Sequence, residues 1–167
     1  MKRLEELLDL LTEEEQRFNR LFALKLSERT ALAAGDTFAI EAGTRSMERV
    51  AREIDELETD RIALTHALAA EYGVPAEELT LSRLAELTGA YYREPLLSAA
   101  ARLADILHRL ELQNRQNAMV LRENLAVLNE AVLSLAESGE RGLEAYTPMG
   151  AAPARPLVAA RLLDQRA

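Results

Sequence analysis

The stretch LELQNRQNAMVL, residues 110–121, decides how this chain is read. On a helix the leucines around it fall on one face, and Asn114 and Asn117 stand on that same face. Followed in both directions, that register takes in Leu96, Ala100, Leu103, Leu107, Leu110, Asn114, Asn117, Leu121, Asn124, Leu128, Ala131 and Leu135 without a slip. A period of 3.5 kept up for so long signals coiled-coil packing. The helix is predicted over about 95–137. Pro95 suits its first turn, where a missing N–H leaves no bond unmade.

Upstream, residues 2–34 read as a single helix. Leu4, Leu7, Leu8, Leu11, Phe18, Leu21 and Phe22 recur at helical spacing, with no Gly or Pro among them. Thr12-Glu13-Glu14-Glu15 has the form of a capping box, but the apolar phase runs straight through it. Gly35 then supplies a left-handed stop and Asp36 an N-cap. A second helix follows at 37–72, with a seam of Ile40, Gly43, Met47, Val50, Ile54, Leu57, Arg61, Leu64 and Leu68. Gly43 is expected to fray its start. A link this short makes the two helices antiparallel neighbours.

Gly73-Val74-Pro75 ends the second helix, and a short helix is predicted at 80–88, capped by Thr80 and closed by Gly89. Past Gly139 the periodicity stops, and residues 145–156 hold Pro148, Pro153 and Pro156. A short amphipathic helix is expected at 157–165; in isolation it would be marginal. The expected fold is therefore all-α. It is an elongated antiparallel helical hairpin plus a long third helix, packed as a coiled-coil-like bundle over 1–138, with a flexible C-terminal tail at 139–167.

Composition narrows the function. Aromatics are 4% and Trp is absent, which is lean for a globular enzyme and usual for a Leu/Ala bundle. Cysteine is absent too, so disulfides and thiolate metal sites are not available. A net charge of −8 argues against nucleic acid as a partner. The start is charged every few residues and does not read as a signal peptide, and the uncharged runs are too short to span a bilayer. A cytoplasmic protein with no membrane insertion is expected.

The two amides on the seam call for a physical reason. A polar residue there lowers stability but fixes register, because its amide must find a partner. We expect a polar layer joining Arg61, Asn114 and Asn117, with Glu14 or Glu15 as countercharge. Arg61 brings only donors, while each Asn offers a carbonyl oxygen. The alternative is that these side chains face water at a flaring end of the bundle.

Catalytic and metal chemistry finds little support. Asp105 and His108 share a helix face, as in half of a di-iron site, but the remaining Glu and His ligands are missing. No phosphate loop, nucleophile elbow or Ser-His-Asp order occurs. REIDELETDRIAL (52–64) resembles the opening helix of the all-helical chorismate mutases, yet the Lys expected after it is absent and the first helix offers only Arg29. No catalytic residue, metal or cofactor is expected.

LQNRQNAMVL, followed some 30 residues on by AYTPMG (145–150) and a short apolar tail, resembles the FlgN-like flagellar export chaperones. Asn114 and Asn117 match that family's amide pair, and Met119, Val120 and Leu121 the apolar residues after it. Arg61 matches its basic residue late in helix two, and Tyr146 and Gly150 its C-terminal element. The ending LLDQRA is similar too. The resemblance implies a non-enzymatic chaperone for hook-associated proteins, holding their terminal segments and delivering them to the export gate. It also implies that Tyr146 contributes to docking on the export-gate platform protein.

The residues themselves allow such a role. Past 121 the long helix is expected to outrun the hairpin, so that Leu125, Leu128, Val132 and Leu135 need cover. A client helix could supply it by helix-in-groove recognition, with Leu157, Val158, Leu162 and Leu163 of the tail folding down on binding. Closure within the chain, or a homodimer seam in a structural coiled-coil adaptor, would satisfy the same leucines.

Overall fold

The computed structural model describes the backbone of residues 2–144 and the side-chain surroundings of residues 2–136. Its described residues are helical with no strand: α1 (Lys2–Ala34), α2 (Thr37–Tyr72), a 3-10 turn (Ala76–Glu78), α3 (Leu81–Leu87) and α4 (Ala90–Glu144). The chain divides into two compact units, Met1–Leu125 and Ala126–Ala167.

The punctuation of the first unit follows from local chemistry. Gly35 adopts φ 66°, and Asp36 accepts from the Ala39 amide at 2.9 Å, so the turn between α1 and α2 is stopped and restarted by adjacent residues. Gly73 closes α2 at φ 67°. Thr80 caps α3 through its hydroxyl, which accepts from the Arg83 amide at 3.1 Å. Gly43 lies within α2, which is helical from Thr37 onward.

Two boundaries differ from those expected. α4 begins at Ala90, which leaves Pro95 inside the helix rather than in its first turn. The Gly89 carbonyl opens the helix by accepting from the amides of Tyr92 and Arg93. Proline at 95 denies the Tyr91 carbonyl its usual donor, but Tyr91 is strongly exposed and water can serve there. Gly89 is not in the left-handed region, and α3 ends at Leu87 with Thr88 as its C-cap. At the other end α4 continues through Gly139 to Glu144; an interior glycine costs a helix about 1 kcal/mol without ending it. The tail beyond 144, with its expected helix at 157–165, lies outside the described residues.

Side-chain pairs give the directions of the helices. Arg3 meets Glu71 and Arg17 meets Glu53, so α1 and α2 run antiparallel. Glu5 meets Tyr92, Glu15 meets Arg102 and Arg29 meets Gln116, so α1 and α4 run parallel. The end of α2 and the start of α4 both lie beside the start of α1, at Arg3 and Glu5, so the 3-10 turn and α3 link them at that level.

The best-sealed part of the core lies at that level. Leu4, Leu7 and Leu11 of α1, Leu68 and Ala69 of α2, Leu79, Leu84 and Ala85 of the connector, and Leu96, Ala99 and Leu103 of α4 form one buried cluster. Each fully buried leucine contributes roughly 1.5–3 kcal/mol. α3 thus sits as a short helix among the three long ones.

A polar seam, an acidic cleft and an apolar helix face

Buried positions on α4 follow one strict alternation: Tyr92, Leu96, Ala99, Leu103, Ile106, Leu110, Gln113 and Asn117 are all sealed. Half of these belong to the register read from sequence. Three others stand one residue earlier than expected, Ala99 for Ala100, Ile106 for Leu107 and Gln113 for Asn114, and Tyr92 lies ahead of that register. Ile106 is 2% exposed, whereas Leu107 is 47% exposed.

This shift dissolves the expected layer of Arg61, Asn114 and Asn117. Asn114 is exposed. Asn117, 5% exposed, turns to α1, where its Nδ2 donates to the Lys25 carbonyl at 2.9 Å and to the Glu28 carboxylate at 2.7 Å. Its own oxygen accepts from Gln113 Nε2 at 2.8 Å. Lys25 Nζ closes the group with an ion pair to Glu28 at 3.1 Å. One level on, Asn124 donates to the Leu32 carbonyl at 2.7 Å.

Gln113, Lys25 and Glu28 were not singled out from the sequence, although the signal was present. The buried and half-buried column of α1 runs Leu4, Leu7, Leu11, Glu14, Phe18, Leu21, Lys25, Glu28, Leu32, and its interruptions at Lys25 and Glu28 meet Asn117 of α4.

Arg61 belongs to a different place. Its Nε donates to Glu14 at 2.8 Å and an Nη to Glu58 at 3.4 Å. The Glu14 side chain is 6% exposed and that of Arg61 31%. Glu14 is thus the countercharge, while Glu15 pairs with Arg102 at 2.7 Å. The ion pair lies in a cleft of about 350 Å³. Leu11 and Phe18 of α1, Ile54 of α2, Leu81 of α3 and Leu103 and Leu107 of α4 complete its lining.

The third feature is a face of α4. Leu121 and Leu125 in the first unit are about half exposed. In the second unit Leu128, Val132 and Leu135 are more exposed still, Leu135 reaching 72%. Val127 and Leu133 are also open to water. Tyr146, Leu157, Val158, Leu162 and Leu163 lie outside the described residues.

Among the described residues no group of three or more His, Cys, Asp or Glu side chains is placed to hold a metal ion. His66 and His108 are exposed, and Asp105 pairs with Arg109 rather than with His108. Nor is any described helix long and apolar enough to cross a membrane.

Heptad-patterned helices around a polar seam, with a row of leucines left open, define a helical bundle of the coiled-coil kind that presents helix surface to its surroundings. Residues 1–154 match the family described as FlgN protein. The chain belongs to the FlgN family, a family of flagellar chaperones. No curated protein and no solved structure matches it.

Proposed function

We propose that this protein is a non-catalytic, cytosolic export chaperone. In this reading it holds the C-terminal helical segments of hook-associated proteins, prevents their premature assembly and delivers them to the flagellar export gate. The observation that carries the proposal is the exposed row Leu125, Leu128, Val132 and Leu135 on α4. Subunits that pair through terminal helices only within a polymer expose apolar faces as free monomers. A helix with an uncovered apolar row offers such a face a substitute partner.

The tail completes the proposal. Leu157, Val158, Leu162 and Leu163 close over the bound segment, and ordering them costs free energy, which keeps affinity moderate and release possible. Tyr146, just past the end of α4, is the candidate contact for the export-gate platform protein.

The test is titration calorimetry of the full chain with the C-terminal segment of a hook-associated protein. Saturable binding that weakens at least tenfold when residues 146–167 are deleted supports the proposal. Absence of binding, together with constitutive dimerisation in sedimentation, overturns it in favour of a coiled-coil adaptor.

A further inference from the structure

The cleft around Arg61 is lined by residues of the first unit alone. We infer that it seats one large apolar side chain of a partner helix that carries Lys or Arg one turn away. It is a different surface from the α4 face proposed above, and the two stand or fall separately.

α3 is a short helix lying among the three long ones, and it buries Leu84 in one cluster with Leu7, Leu68 and Leu96. Leu81, the first residue of α3, lines the cleft together with Ile54 on α2 and Leu103 and Leu107 on α4. Leu107 is left half exposed as a wall without an occupant. The volume, about 350 Å³, accepts a leucine or phenylalanine side chain.

Charge specifies the rest. One guanidinium serves two carboxylates, so the cleft carries a surplus negative charge. Glu14 is sealed inside and takes the closer bond, at 2.8 Å. Glu58 is half exposed at the mouth and holds only a 3.4 Å contact. The under-neutralised group therefore faces the occupant, and a cationic side chain beside the apolar anchor meets it.

The test uses the full chain and acetylated, helix-forming alanine–glutamine peptides, followed by methyl NMR. One peptide carries a central Leu with Arg one turn on, a second replaces the Arg by Glu, and a third replaces the Leu by Ala. The Leu/Arg peptide is expected to shift the methyls of Ile54, Leu103 and Leu107. Replacing Arg by Glu weakens it about threefold, the size of a half-exposed ion pair. Loss of the Leu weakens it about tenfold. Glu58→Arg, at the surface, reverses the preference between the charged peptides. Equal response to the two charged peptides, shifts confined to other methyls, or no shift at all overturns the inference.

Discussion

Asn117 donates to the carboxylate of Glu28 across 2.7 Å, from a site that is 5% exposed. A hydrogen bond to a charged group in such a place contributes more than one between neutral partners. It also fixes the level at which α4 lies along α1. Sliding α4 by one turn would take the Asn117 amide away from both the Lys25 carbonyl and the Glu28 carboxylate, the bonds of this group that cross between the helices. Apolar side chains along the same seam would tolerate such a slip far better.

Asn117→Ala is therefore expected to lower unfolding stability by about 1–3 kcal/mol. Asn114→Ala, at an exposed position, stays within about 0.5 kcal/mol of the parent. Urea unfolding followed by helical circular dichroism distinguishes the two. Equal costs at both positions would contradict the seam described above.

The same comparison one level down separates the two registers of α4. Ile106→Ala should cost about 2–4 kcal/mol, because the cavity it leaves is sealed. Leu107→Ala, on a half-exposed side chain, should cost less than about 1 kcal/mol. The reverse order would restore the register first read from the sequence.

That register shows what a sequence of this kind reveals and what it conceals. Positions 96, 103, 110, 117 and 124 belong to both phases, and their repeat alone predicts a long coiled-coil helix. The phases differ only in choosing 99 or 100, 106 or 107, 113 or 114, 120 or 121. Those pairs are Ala/Ala, Ile/Leu, Gln/Asn and Val/Leu. Within each pair hydrophobicity is nearly equal, so pattern gives no reason to prefer one. The turn at Gly35-Asp36 was legible because left-handed backbone and N-capping each demand particular side chains. The start of α4 was not: Pro95 reads as a first-turn residue, and tertiary packing of Tyr92 and Leu96 extends the helix upstream of it. Glu14 could be named as a countercharge from sequence, but the separation of Arg61 from the amides follows only from the folded arrangement.

The Glu14–Arg61 pair makes a sharp prediction of its own. Arg61→Leu leaves a carboxylate that is almost fully buried without its cation, at a cost of about 3 kcal/mol. Adding Glu14→Leu removes the stranded charge and should recover most of that loss. A double-mutant cycle from chemical denaturation measures the coupling. Additive losses would show that the two side chains act independently.

Alkaline pH should find a weak point at Tyr92. Burial first, and then its hydrogen bond to the Glu5 carboxylate, hold the hydroxyl above the ordinary tyrosine value of 10.0. The unfolded chain ionises at the ordinary value, while the folded chain keeps the proton. This contribution to stability is therefore complete below about pH 10 and is lost as pH rises through the folded value. Tyr92→Phe should flatten the alkaline limb of the unfolding midpoint plotted against pH. An unchanged limb would assign the loss to other groups.

A client segment is expected to meet the protein on the exposed row of α4. Hydrogen exchange, read by mass spectrometry with and without the C-terminal segment of a hook-associated protein, addresses this directly. New protection centred on residues 121–136, abolished by Leu128→Asp with Leu135→Asp while the first unit keeps its own protection, is the predicted result. Saturable binding that leaves exchange across 121–136 unchanged would contradict it.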